Sequence, residues 1–273
     1  MTYLVQTHRL SIRRACASLG LSRAVWYRPL VDWLERDRPV AEALAALAEE
    51  KPGLGFWKLY RRLRRMGHDW NHKRVYRVYG LMKLNLRRRT KKRLPVREPM
   101  PLMVPQRPDQ VWSADFMSDA LYNGVRFRTF NVLDDFNREA LAIEIDTSLP
   151  SQRLVRVFEQ LKAERGVPDV LRTDNGPEFL GEVFVDWCAA NGIMIDYIEP
   201  GKPNQNAYIE RFNRSYREEV LDTWLFGSLD EVRELSWAGM LEYNEERDHD
   251  GLGGLTPAEA LQRAGVSTLE LST

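Results

Sequence analysis

Leu171-Arg172-Thr173-Asp174-Asn175-Gly176-Pro177-Glu178-Phe179 joins a buried strand to a helix across one tight turn. Asn175-Gly176 turns the chain, and Pro177 has the fixed φ that suits a first helical position. Asp174 falls where the strand gives way to the turn. Two further carboxylates are placed to meet it. Asp115 lies within Val111-Trp112-Ser113-Ala114-Asp115-Phe116, and Glu210 within Asn206-Ala207-Tyr208-Ile209-Glu210-Arg211-Phe212. Three such acids suggest a site that holds divalent metal and cuts or joins DNA.

The flanking pattern predicts strands over 111–120, 125–132, 140–145, 170–174 and 194–198, and helices over 150–164, 177–190 and 205–220. Asn123-Gly124 suits a type I′ hairpin turn between the first two strands. Three strands in a meander followed by α-β-α-β-α make a mixed α/β layer, with the first and fourth strands as neighbours. Asp115 and Asp174 then stand side by side near strand ends. On the 205–220 helix, Ile209, Phe212, Tyr216 and Val220 form the buried stripe, and Glu210, Asn213 and Arg217 border it.

Phosphodiester cleavage needs an activated nucleophile, in-line geometry and neutralised charge, which two Mg²⁺ ions about 4 Å apart supply. Hard cations take oxygen ligands, and three crowded carboxylates repel one another without one. Asn175 could hold the ligands from behind. Each acid also has an ordinary reading. Asp174 can be a turn former, and Glu210 a solvated helix acid. Asp115 is harder to dismiss, because a charge inside an apolar strand is costly unless paired or metal-bound. Asp134 and Asp135 are rivals, but two acids in a turn usually face water.

The chain has 273 residues and a formal net charge of +1. That balance conceals a split: residues 1–108 carry a net of +17 and residues 109–273 a net of −16. A basic half joined to an acidic half points to a nucleic-acid-binding module; the alternative is that the halves attract each other. Ser11 to Arg28 fits two short helices around Gly20, with Ser22 as a cap and Ile12, Ala15, Cys16 and Leu19 as the buried stripe. Residues 39–50 are strongly helix-forming. Residues 56–66 and 72–84 form a second helix pair, with Asn71 as N-cap and Lys73, Arg74, Arg77 and Lys83 outward, as in a major-groove reader.

Between Arg61 and Arg97 there are 15 basic residues and one acid, Asp69. Phosphate contact is the better reading of such a run, with Arg61, Arg62, Arg65, Lys73, Arg74, Arg77, Arg87, Arg88, Arg89, Lys91, Lys92 and Arg93 as candidates, joined by Lys202, Arg214 and Arg217 from the second half. Five prolines in 94–110 mark a linker. Expected domains are a basic helix-turn-helix region (1–95), that linker (96–110), a core (111–225) and its helical extension (226–273). No apolar run approaches a membrane span, and the N-terminus lacks a signal-peptide core, so a cytoplasmic, nucleoid-associated protein is expected. Cys16 and Cys188 fit small buried hydrophobes. Thr256-Pro257-Ala258-Glu259 is a helix start with a capping box, and His249 fits a structural role better than a ligand.

The chain resembles bacterial insertion-sequence transposases of the OrfB type (insertion-sequence family three), whose core is similar to retroviral integrases. The resemblance rests on Trp112-Ser113-Ala114-Asp115, on Thr173 to Phe179, on Pro200 to Asn213, and on Tyr243-Asn244-Glu245-Glu246-Arg247-Asp248-His249 leading to Leu255-Thr256-Pro257. Asp174 and Glu210 are separated by 35 residues, the spacing of that family. The resemblance implies a ribonuclease-H-like fold behind a helix-turn-helix region. It also implies strand cleavage and transfer with Asp115, Asp174 and Glu210 as catalytic acids binding Mg²⁺ or Mn²⁺, two ions per site. Implied partners are double-stranded DNA (element ends and target), further copies of the chain, and an upstream-frame product or a fusion with it. Arg217 matches the family's basic residue on the same helix. Asp248 departs from the proline common at that place. The alternatives are a non-catalytic DNA-binding regulator and a ribonuclease-H-type nuclease.

Overall fold

The computed structural model describes residues 2–28, 33–86, 105–199 and 206–265. Six helices come first: α1 (Thr2–Gln6), α2 (Ile12–Ser18), α3 (Arg23–Tyr27), α4 (Trp33–Glu50), α5 (Phe56–Arg65) and α6 (His72–Leu81). Ser11 caps α2 and Asn71 caps α6 through their side-chain oxygens. Ser22 makes no such bond, and Leu19 is exposed rather than part of a buried stripe. The helices α4, α5 and α6 close over Val40, Leu44, Leu59, Leu63, Val75 and Val78.

The second half is one five-stranded mixed sheet, in the order β3-β2-β1-β4-β5, built from β1 (Val111–Ala120), β2 (Arg126–Asp134), β3 (Ala140–Asp146), β4 (Val170–Thr173) and β5 (Met194–Tyr197). Antiparallel β1–β2–β3 is the expected meander, and β1 and β4 are parallel neighbours. The hairpin is not type I′. Only Gly124 takes positive φ (+85°), and its N–H donates to Leu121 O at 2.8 Å, closing a three-residue loop.

Side chains on β1 alternate between two cores. Trp112, Ala114 and Phe116 face α7 (Ser151–Arg165), α8 (Pro177–Leu180) and α9 (Glu182–Ala190), with Phe158, Phe179 and Phe184. Met117 joins the opposite core, formed with α10 (Ala207–Glu219) and α11 (Leu229–Glu245) around Phe212, Tyr216, Met240 and Tyr243. Asp115 shares that second face by the period-2 rule. A last helix, α12 (Pro257–Arg263), begins with the capping box on Thr256 and Glu259.

The single helix expected over 177–190 is instead two, broken at Gly181. A Cβ there would lie 2.2 Å from Ser151 Oγ, and Ser151 Oγ also donates to Glu178 O at 2.8 Å. The turn acids also differ from expectation. Asp134 and Asp135 are fully buried. Asp134 accepts from the N–H groups of Asp109 (2.9 Å) and Phe136 (2.8 Å). Asp135 accepts from Ser113 Oγ (2.6 Å) and from Arg172 (2.9 Å) on β4. They pin the strand ends, which is why they need no water.

Candidate active site

The β1–β4 register sets Ser113 against Arg172; two residues on, Asp115 comes opposite Asp174, just past the end of β4. Asp174 Oδ1 accepts the Gly176 N–H at 3.0 Å, and a Cβ on Gly176 would meet that same oxygen at 3.0 Å. Glycine here leaves room for the Asp174 carboxylate and answers no unusual φ. Asn175 is exposed, and its amide donates to Ile198 O at 2.9 Å. It ties the turn to the end of β5 and does not hydrogen-bond an acid.

Asp115 is gripped from two sides. Oδ1 accepts from the Phe116 N–H at 2.8 Å, and Oδ2 accepts from Asn213 Nδ2 at 2.8 Å. Asn213 Oδ1 in turn accepts from Asn131 Nδ2 at 2.7 Å, and Asn131 is the cross-strand partner of Asp115 on β2. This relay docks α10 onto the sheet and brings Glu210, one turn before Asn213, to the same edge. Burial, then the charges of Asp174 and Glu210, push the Asp115 carboxyl up to about 6. Burial raises Glu210 as well, while Arg214 one turn on opposes the rise. Glu210 itself is exposed. The donors on this edge are all hard oxygens, the type Mg²⁺ and Mn²⁺ take, and the mutual repulsion felt at Asp115 is what a cation relieves. Among the described residues no three His, Cys, Asp or Glu side chains approach closely enough to enclose an ion.

Asn213 is the residue whose role the sequence did not reveal; its place three after Glu210 on the buried edge of α10 was the available signal. Arg128 also matters: its guanidinium lies 4.2 Å from the Phe116 ring centroid and pairs with Glu178, bracing the turn that carries Asp174.

The basic candidates divide by what they touch. Arg61 pairs with Asp248 (2.5 Å) and Asp250 (2.8 Å), Arg62 with Glu242 (3.0 Å) and Glu246, and Arg65 with Glu259 (2.9 Å). Basic residues of α5 thus meet acids of the second half, so part of the charge split is answered within the chain. Asp248 is 3% exposed, and its pairing with Arg61 gives this departure from the proline pattern a local use. Arg74 and Arg77 both bind Asp37 on α4. Arg217 binds Asp119 (3.0 Å) and Ser118 O (2.9 Å). Lys73 and Arg214 make no ion pair with a described residue. Arg87, Arg88, Arg89, Lys91, Lys92, Arg93 and Lys202 lie outside the described residues, as does most of the linker. No helix among the described residues is long and apolar enough to cross a membrane.

Comparison with known proteins agrees with this layout. Two family models, each described as an integrase core domain, match residues 105–203 and 191–257, and an HTH-like domain model matches 35–92. A protein of insertion element IS407 from Burkholderia multivorans is 38% identical over 95% of this chain and 93% of its own length. The transposase of insertion sequence IS629 from Shigella sonnei is 27% identical over 58% of this chain and 53% of its own. Among solved structures, a chain of the simian T-cell lymphotropic virus intasome, determined with PP2A regulatory subunit B56 gamma, superposes with a TM-score of 0.50 at 15% identity, over 84% of this chain and 74% of that one. That likeness shows the fold: a ribonuclease-H-like mixed sheet between helices. With 38% identity to an insertion-element protein over nearly its full length and an integrase core spanning its second half, the chain belongs to the insertion-sequence transposases.

Proposed function

We propose that Asp115, Asp174 and Glu210 form the catalytic and metal-holding acids of this transposase, acting on phosphodiester bonds at the ends of an insertion sequence. The observation that carries the reading is the Asn131–Asn213–Asp115 relay, which orients one acid and docks the helix bearing another. Bound Mg²⁺ or Mn²⁺, two ions in this reading, would activate the attacking oxygen and neutralise charge on the leaving oxygen. The chain's own residues do the rest. Asn213 and the Phe116 N–H hold Asp115 in one rotamer; the Gly176 N–H holds Asp174. The buried platform of β1 and β4 keeps both fixed while DNA binds. Asn175 contributes by anchoring its turn to β5 rather than by touching an acid.

Two substrates follow from the family chemistry: the element end, where cleavage frees a 3′-hydroxyl, and the target duplex that this hydroxyl attacks. The basic helical region (1–95), the 96–110 linker, the 111–225 core and its 226–273 extension divide the labour, with Lys73, the 87–93 run, Lys202 and Arg214 contacting phosphate. Arg61, Arg62, Arg65, Arg74, Arg77 and Arg217 do so after exchanging their carboxylate partners for DNA. The working form is a multimer on DNA.

Calorimetric titration of Mn²⁺ into the native chain and into Glu210→Gln tests the metal assignment. Loss of binding in the variant supports it; equal binding in both rejects it. A non-catalytic regulator would keep its full effect on transposition after the same substitution.

A further inference from the structure

Behind the first turn of α10, on the side away from Asp115, lies a cavity of about 210 Å³. Lys58 from α5, Arg138 from the β2–β3 turn, Arg211 from α10, and Arg247 and His249 from the segment after α11 line it, with Tyr208 in its wall. Arg247 is engaged by Glu219 (2.8 Å), and the two acids at the cavity, Asp248 and Asp250, are engaged by Arg61. Lys58, Arg138 and Arg211 form no ion pair with any described residue. Three cations from three separate elements thus converge without a direct ion pair among the described residues, although Glu219 and Asp248 act on Lys58 from farther off.

Two buried nitrogens point the same way. Arg138 Nη1 and His249 Nε2 are buried with no hydrogen-bond partner among the described residues. Buried polar atoms left this way call for a ligand or a cost. Both side chains are held for the purpose. The Arg138 guanidinium lies over the Tyr208 ring at 3.2 Å from its centroid, and the His249 ring meets Tyr243 edge-on at 4.8 Å. Arg138 also sits at φ +64°, in the left-handed region where asparagine or glycine is the easier occupant. An arginine kept at a strained position fits a site that uses its charge. Burial, reinforced by Arg247 and Arg211, holds the Lys58 ammonium below its ordinary value. Burial and the surrounding cations push His249 down to about 3.

We infer that this cavity is a phosphate-binding pocket that takes one backbone phosphodiester of bound DNA, with Lys58, Arg138 and Arg211 as its cations and His249 Nε2–H as a neutral donor. The inference rests on the DNA-acting reading above and deepens it. Tyr208 and Arg211 share the first turns of α10 with Glu210, so the phosphate held here lies across that helix from the acid edge. Because Lys58 belongs to the helical region and the other groups to the core and its extension, one phosphate bridges these units. DNA binding and docking of α5 are therefore coupled.

The test uses the full chain labelled with ¹⁵N-histidine, the His249 signal being identified with His249→Gln. Inorganic phosphate is titrated in, first on the native chain, then on Lys58→Met and on Arg138→Asn. Asparagine suits the backbone at 138, which offsets the lost contact with the Tyr208 ring. A saturable shift at His249, absent at His8 and lost in both variants, is expected. In parallel, anisotropy of labelled duplex DNA is followed against salt. Each variant should bind more weakly, with the slope of log Kd against log salt reduced by about one contact. No response at His249 overturns the pocket. A response at His249 with unchanged DNA slopes overturns its assignment to DNA. Because these experiments read binding alone, a chain that binds through the pocket yet cuts nothing would sink the catalytic reading and leave this one standing.

Discussion

Asn213 Nδ2 donates to Asp115 Oδ2 at 2.8 Å while its Oδ1 accepts from Asn131 at 2.7 Å, so one amide both aims an acid and ties α10 to the sheet. Asn213→Ala removes both bonds and leaves buried polar atoms behind. We expect a stability loss of about 1–3 kcal/mol and a fall in strand-cleavage kcat on the order of 10–100-fold, as for residues that orient metal ligands, with KM for DNA little changed. Thermal melts and single-turnover kinetics read these separately. A KM effect without a kcat effect would assign Asn213 to DNA binding instead.

The buried turn acids give a pH signature. Burial pushes Asp134 up to about 7, from an ordinary 3.8. The native state then keeps a proton that the unfolded chain has released. This contribution is full below about pH 4 and is lost as pH rises through about 7. His249, pushed down to about 3, acts in the opposite sense, and its contribution fades as pH falls below 6.5. Comparing native with Asp134→Asn isolates the first effect. Relative to native, the variant should gain stability between about pH 5 and 7, by at most about 1.4 kcal/mol per pH unit. Parallel melting profiles across that range would contradict the assignment.

Gly239 lets α11 approach the end of α10. A Cβ there would come within 2.5 Å of Val220 Cγ2. Gly239→Ala should cost about 1–3 kcal/mol by overpacking, despite alanine's better helix propensity. Denaturant melts of the variant measure it, and Gly239→Ala with Val220→Ala should recover part of the loss. A stabilised single variant would mean that the helices separate easily.

The pairs from Arg61, Arg62 and Arg65 to Asp248, Glu242, Glu246 and Glu259 set carboxylates against phosphate for the same cations. Partly exposed pairs are worth about 0.2–1 kcal/mol each. Glu242→Gln with Glu246→Gln and Glu259→Gln should therefore tighten duplex binding by between about threefold and a hundredfold, most visibly at low salt. Unchanged affinity would show that these arginines stay on the core when DNA is bound.

Local chemistry was legible in the sequence. β1 spans the expected 111–120, Asn71 and Thr256 cap as their types suggest, and β1 pairs with β4 as a mixed sheet requires. What the sequence hid was tertiary. Ser151 Oγ donates to the Glu178 carbonyl where the 177–190 helix breaks at Gly181. Asp134 and Asp135 resemble solvated turn acids until Arg172 and the Asp109 N–H are brought to them across the sheet. Arg61, Arg62 and Arg65, read as phosphate contacts, meet acids nearly two hundred residues away. Asp115 could be singled out because a carboxylate in an apolar strand needs an explanation wherever it packs; Asn213 could not, because its role exists only once α10 lies on β1.

The measurement that bears most directly on the account is Mg²⁺-dependent cleavage and joining of labelled duplex carrying the flanking insertion-sequence ends, comparing the native chain with Glu210→Gln. The account predicts nicked and joined products from the native chain and a loss on the order of a thousandfold in the variant, with duplex binding retained. Equal activity in the two would contradict it.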